Sequence, residues 1–112
     1  MDLGKFSVSL AVKDINASLE FYKKMGFESI GGDLSGEKKW SILVNGSTKI
    51  GLFQGMFLEN ILTFNPTDLR TLQKQLRING MRFEKEIEEH TDGPGHAILK
   101  DPDGNIVLLD QH

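Results

Sequence analysis

One stretch of sequence pattern occurs twice in this chain, and the repeat constrains the fold more than any other feature. Phe6-Ser7-Val8-Ser9-Leu10-Ala11-Val12 reads as a strand leading to Asp14, followed by a helical stretch that stops at Gly26. Ile61-Leu62-Thr63-Phe64-Asn65 leads in the same way to Asp68 and a helical stretch that stops at Gly80. The two aspartates are 54 residues apart, and so are the two glycines. A period of this length signals two copies of one supersecondary module. The modules are expected at about 1–56 and 57–112 within a single domain.

Each module can be read further. Val8, Leu10 and Val12 alternate with Ser7, Ser9 and Ala11, the pattern of a half-buried strand with a small-residue opposite face. Asp14 is an N-cap, and Ile15, Leu19, Tyr22 and Met25 follow at helical spacing up to the C-cap Gly26. Phe27 to Ile30 forms a short strand, and residues 31–36 read as a loop. Trp40–Val44 and Thr48–Gln54 form a hairpin around Asn45-Gly46, a strong type I′ turn signal. A two-residue Asn45-Gly46 loop pairs Val44 with Ser47 and sets Trp40 opposite Gly51. In the second module Thr67 or Asn65 caps a helix carrying Leu69, Leu72 and Leu76. Met81–Glu89 reads as a polar edge strand, its Glu84, Glu86 and Glu88 discouraging further pairing. His96–Lys100 and Ile106–Asp110 form a last hairpin around Asp101-Pro102-Asp103-Gly104-Asn105, a structural turn rather than a calcium loop, since Pro102 separates the carboxylates. The order β-α-β-β-β, twice, is an α+β fold. A ferredoxin-like βαββαβ alternative has one strand fewer per helix and leaves the long hairpins unexplained.

The net charge of −3 gives no basic footprint, so a nucleic-acid partner is not expected. With no cysteine, disulfides and thiolate chemistry are excluded. No apolar run approaches the ~20 residues of a membrane span, and the first residues lack a signal-like apolar stretch. A cytoplasmic protein without a membrane partner is the expectation.

Asp14, Phe21, Tyr22, Gly26 and Phe27, with the turn Asp101-Pro102-Asp103-Gly104-Asn105, resemble the vicinal oxygen chelate superfamily. This is the group of glyoxalase I, bleomycin and fosfomycin resistance proteins and extradiol dioxygenases. The resemblance spans essentially the whole chain. It implies two tandem βαβββ modules whose curved mixed sheet forms a cup, usually in a homodimer. Metal-dependent members hold an ion on the cup's inner face with four ligands. The first-strand ligands lie seven residues before each helix-capping Asp, which here gives Ser7 and Ile61. The last-strand ligands correspond to Leu108 in the second module and to a position at or beside Gly51 in the first. None of the four offers a carboxylate, imidazole or thiolate. A shift by one residue brings in only Asn60 as a weak donor. The resemblance therefore implies a member without the metal centre, and no cofactor is expected.

The vacant positions mark the inner face of the cup. Ser7, Ser9, Trp40, Lys49, Gly51 and Phe53 line it from the first module; Ile61, Thr63, Asn65, Ile98 and Leu108 line it from the second. This set is mostly apolar and aromatic and suits an organic ligand. His96 shares the face of Ile98. If Ile98 pairs with Leu108, His96 pairs with Asp110, and an imidazole oriented by a carboxylate is a candidate general base. Three function classes follow. The first is a metal-independent small-molecule-binding protein. The second is an enzyme, either a metal-free lyase or isomerase using His96 and Asp110 or a dioxygenase relative with its metal ligands elsewhere. The third is a dimerising structural module. The first is the favoured expectation, with a small-molecule ligand and a second copy of the chain as partners.

Overall fold

The computed structural model describes all 112 residues, Met1–His112. The elements run β1 (Lys5–Ala11), α1 (Ile15–Lys24), β2 (Glu28–Asp33), β3 (Lys39–Asn45), β4 (Thr48–Gln54), β5 (Ile61–Asn65), α2 (Leu69–Ile78), β6 (Gly95–Lys100) and β7 (Ile106–Gln111). Two helices and seven strands in this order make an α+β fold of βαβββ type. The chain forms two compact units, Ser7–Asn60 and Met1–Phe6 with Ile61–His112. No helix is long and apolar enough to cross a membrane.

In the Ser7–Asn60 unit the strand order is β2-β3-β4-β1. β1 and β4 are parallel, with Ser9 beside Gly51 and Ala11 beside Phe53, while β3 and β4 form an antiparallel hairpin. Ile15 and Leu19 of α1 pack with Leu43, Ile50 and Leu52, closing the core on one side of the sheet. Leu10, Val12, Tyr22 and Phe27 lie against it. The Tyr22 and Phe27 rings meet edge to face with centroids 5.6 Å apart. β2 is exposed along its length, and its pairing with β3 shifts register between Ser29 and Gly31.

In the other unit the order is β5-β7-β6. Leu69, Leu72 and Leu76 of α2 pack on Ala97, Leu99, Leu109 and Ile87, with Leu3, Phe64, Phe83 and Val107 around them. The helical spacing of the three leucines thus buries one stripe of α2.

The repeated Asp and Gly work as helix boundaries. The Asp14 carboxylate accepts from the Asn16 and Ala17 amides. Gly26 stands at φ +94 after the helix, where its N–H donates to the Lys23 carbonyl and the Phe27 N–H to the Tyr22 carbonyl. Gly80, at φ +87, does the same through Gly80 N–H to Arg77 O and Met81 N–H to Leu76 O. Both ends are Schellman motifs, which place a residue in the left-handed region and so favour glycine. The cap of α2 differs from expectation. Neither Thr67 nor Asn65 caps it; Asp68 does, accepting from the Thr71 amide at 3.2 Å and the Thr71 hydroxyl at 2.7 Å. A cap must immediately precede the first helical residue, and only Asp68 does so.

Three further expectations are corrected. The β3–β4 turn is Gly46-Ser47, not Asn45-Gly46: Asn45 pairs with Thr48 and Val44 with Lys49. Gly46 has φ +59 and no non-glycine residue has a positive φ. That fits the type II′ turn, which needs Gly only at its first central position, whereas type I′ would also require it of the second. The Asn45 amide is used elsewhere, donating to the Met25 carbonyl at 3.1 Å. Second, β2 continues through Gly31, Gly32 and Asp33, residues read from sequence as loop. Third, residues 81–89 do not form a strand; only Lys85 bridges to Ile98.

The chain near Ile87 bonds to a helix side chain instead. Gln73 is fully buried, its Oε1 accepting from the Ile87 N–H at 2.8 Å and its Nε2 donating to the Ile87 carbonyl at 3.1 Å. A single amide side chain thus replaces a ladder partner. Arg70 extends the clamp, donating from Nε to the Glu88 carbonyl, from Nη1 to the Gly93 carbonyl and from Nη2 to the Thr91 hydroxyl. Arg77 pairs with Glu86 at 3.1 Å and with Glu89. The glutamates expected to guard a strand edge therefore serve in part as partners of α2.

Two predictions follow from these contacts. Gln73→Leu preserves bulk but strands the Ile87 N–H and carbonyl in a buried position. It should lower unfolding free energy by roughly 2–4 kcal/mol, read by urea denaturation, with faster hydrogen exchange at the Ile87 amide. The second concerns the β6–β7 turn, where the Asp101 carboxylate accepts from Asn105 Nδ2 at 2.7 Å and from the Asn105 and Asp103 amides. The Asn105 side chain, and after it the Asn105 amide, hold the Asp101 carboxyl below its ordinary range. A depressed folded value contributes stability that is present above the ordinary carboxylate pKa of about 3.9 and is lost as pH falls through the folded value. Asn105→Ala should raise the Asp101 titration midpoint, followed by carboxyl-carbon NMR, and flatten the acid limb of the stability curve.

Candidate functional site

Side chains alternate across a strand, so the helix-packed residues fix which side chains point the other way. In the Ser7–Asn60 unit, Leu43, Ile50 and Leu52 meet α1. Ser7, Ser9, Trp40, Lys49, Gly51 and Phe53 consequently share the opposite face, and Ser7 and Ser9 are buried there. In the other unit Ala97, Leu99 and Leu109 meet α2. Ile61, Thr63, Asn65, Ile98 and Leu108 share its helix-free face, together with His96 and Asp110. Ile61 lies beside Ile106 and Thr63 beside Leu108.

The corrected hairpin register changes who meets whom. Trp40 stands opposite Phe53, and Ile42 stands opposite Gly51. A Cβ placed on Gly51 would lie 2.5 Å from Phe53 Cε2 and 3.3 Å from Ile42 Cδ1. The Phe53 ring therefore lies directly over the Gly51 backbone, a close approach only glycine allows. Phe57 joins it, with ring centroids 5.3 Å apart. Where the resemblance would place a metal ligand, this unit has an aromatic surface. Ile42 was not singled out from sequence, although its parity with Trp40 was available as the signal.

On the other unit the expected His96–Asp110 strand pairing is observed, as is Ile98 with Leu108. The expected side-chain arrangement is not. His96 Nε2 meets Lys85 Nζ at 2.8 Å, and no hydrogen bond joins His96 to Asp110. An ammonium only donates, so Nε2 accepts and the ring proton sits on Nδ1. The Asp110 carboxylate lies 3.9 Å from His112 Nε2, and that nitrogen also receives a hydrogen bond from Asn65 Nδ2 at 3.1 Å. Asn65 Nδ2 further donates to the Asp110 carbonyl. A base oriented by Asp110 is thus not assembled, because the lone pair it would use is occupied by Lys85. Lys85 was missed from sequence because residues 81–89 read as a regular edge strand.

Residues 60–109 match the sequence model of the Glyoxalase/Bleomycin resistance protein/Dioxygenase superfamily. The fold of the whole chain agrees. A superfamily member from Vibrio splendidus aligns with a TM-score of 0.71 at 16% identity, over 96% of this chain and 98% of that one. The sequence match covers the second half of the chain, and the likeness over the whole chain is one of fold. The hypothetical protein BH1468 from Bacillus halodurans aligns at 18% identity and TM-score 0.73, over 99% and 94% of the two chains. A Legionella pneumophila protein described as an NAD-dependent benzaldehyde dehydrogenase aligns at 17% identity and TM-score 0.74, over 95% and 97%. At these identities the likeness carries the fold alone. No curated protein matches by sequence.

The residues at the superfamily's metal positions do not fit a divalent ion. Ser7 and Gly51 in one unit and Ile61 and Leu108 in the other supply no imidazole, carboxylate or thiolate. Nor do three or more His, Cys, Asp or Glu side chains gather elsewhere in a geometry that could hold a metal. No step through a metal is derived for this chain.

Gly51→Ala tests the aromatic surface. The added methyl must displace the Phe53 ring, which should cost about 1–3 kcal/mol in unfolding free energy. The Trp40 emission, arising across the strand from Phe53, should shift with it.

Proposed function

We propose that this protein is a metal-independent small-molecule-binding member of the glyoxalase/bleomycin resistance protein/dioxygenase superfamily, holding an apolar or aromatic ligand against a helix-free sheet face. The observation that carries the reading is the covering of Gly51 by Phe53 and Ile42, with Trp40 as Phe53's cross-strand partner. Aromatic rings and aliphatic side chains with a few polar groups, here Ser9 and Lys49 on the face of Phe53, are the usual lining of an organic-ligand site. The donor set at the metal positions supports the metal-independent part. The enzymatic reading with His96 as base loses support because Lys85, not Asp110, engages the imidazole. Homodimer assembly and a cytoplasmic setting belong to the same reading. The first is supported by the superfamily resemblance and by exposed apolar side chains such as Phe21, Met25 and Leu58.

A fluorescence titration tests the proposal. Planar aromatic compounds should quench or shift Trp40 saturably, and dialysis against a chelator should leave the titration unchanged. Phe53→Ala should weaken binding by at least ~10-fold, as expected for removal of a stacking surface worth about 1.5 kcal/mol. Absence of saturable binding across the panel, or its loss on chelation with recovery by one equivalent of zinc, nickel or iron, overturns the reading. Light scattering should give twice the chain mass.

A further inference from the structure

The Lys85–His96 contact makes one end of the second unit's helix-free face chemically distinct. Lys85 is held there by its backbone: its N–H donates to the Ile98 carbonyl at 3.2 Å and its carbonyl accepts from the Ile98 N–H at 2.9 Å. This bridge sets the Lys85 side chain on the face of Ile98, and Nζ reaches along β6 to His96 Nε2. One of the three ammonium N–H groups is used by His96. Nζ makes no other hydrogen bond or ion pair, so two donors remain open to an incoming group. Beside them run apolar side chains: Ile98 paired with Leu108, and Ile61 paired with Ile106.

The charges around this pair are identifiable. Asp110 is His96's cross-strand neighbour on β7, with its carboxylate towards His112 on the same strand's end. Glu84 and Glu86 flank Lys85 in sequence, and Glu86 is engaged by Arg77 of α2. His96 thus stands between a cation in contact and a carboxylate across the strand. While it accepts from Lys85 it is neutral. Protonated with nothing between them, His96 and Lys85 would be two cations in hydrogen-bond contact. A carboxylate inserted between them removes that repulsion, accepts from Lys85, and turns His96 from acceptor into donor.

We propose that Lys85 and His96 form the anion-holding head of a site on this face. Its ligand is a small carboxylate with an apolar or aromatic body, which lies over Ile98 and Leu108. Binding draws one proton from solvent onto His96. This rests on the small-molecule-binding reading above and names the class of ligand. Because the bound state favours charged His96, affinity rises as pH falls towards the ordinary histidine range.

The test compares benzoate and naphthoate with their uncharged amides, using the intact protein and following the His96 ring by nitrogen-15 NMR. The carboxylates should bind at least ~10-fold more tightly than the amides. They should move His96 from the Nδ1–H tautomer to the doubly protonated form, and bind at least ~3-fold more tightly near pH 6 than near pH 8. Lys85→Gln, a change at an exposed side chain, should lower the carboxylate-over-amide preference at least ~10-fold. Equal binding of acid and amide, or indifference to Lys85→Gln, overturns this inference and leaves the binding function standing. Failure of both acids and both amides to bind overturns this inference, and failure of the wider aromatic panel as well brings down the function on which it rests.

Discussion

Each unit depends on closing the first turn of its helix from the end of its last strand. The leading amide of α1, at Ile15, donates to Gln54 Oε1 at 2.9 Å, and that of α2, at Leu69, donates to Gln111 Oε1 at 2.8 Å. Amides at a helix start have no partner within the helix, and burying one unpaired costs about 1–3 kcal/mol. Asp14 satisfies the Asn16 and Ala17 amides, and Asp68 that of Thr71. The glutamine satisfies the leading amide and ties the strand end to the helix that packs over it. The tie fixes which strand residues face the leucines and isoleucines of the helix and which face away. Everything ascribed to the helix-free faces follows from that division. Gln54 and Gln111 are 57 residues apart whereas the capping aspartates are 54 apart, so the device survives a difference in length between the copies.

The superfamily fold offers positions on these faces to a metal, and this chain has filled them with other chemistry. Gly51 admits the Phe53 ring, which a ligand-bearing side chain would exclude. At Ile61 and Leu108 the side chains are aliphatic. The polar groups that remain on the second unit lie at the end of the face, around His96, Lys85, Asp110 and Asn65. They bond to one another in pairs rather than converging on a point, so they do not form a metal cage.

How much of this was legible in the sequence depends on whether the feature is local. Asp14, Gly26 and Gly80 declare helix boundaries because caps act within a turn of chain. The faces of the strands were legible too, and they survived a wrong register. Reading the turn as Asn45-Gly46 displaced the β3–β4 pairing by two residues, and a displacement of two preserves which side every residue faces. Trp40 therefore kept its face while exchanging Gly51 for Phe53 as partner. What the sequence could not convey was side chains reaching across sequence to replace main-chain partners. Gln73 reads as one polar residue beside an apolar stripe, yet it holds Ile87 in place of a strand. Once residues 81–89 lose strand geometry, Lys85 is free to take a position that alternation would not assign. The imidazole expected to face Asp110 then finds an ammonium instead.

The grouping of Met1–Phe6 with Ile61–His112 bears on how the protein is made. Leu3 packs against the core built by α2, β6 and β7. Synthesis delivers Met1–Phe6 before Ile61–His112, at about 5–20 residues per second. Met1–Phe6 must therefore wait for the rest of its unit, while Ser7–Asn60 has its own core complete in one continuous stretch. Ser7–Asn60 can thus acquire structure on the ribosome while Met1–Phe6, although made earlier, still lacks the segment it packs with.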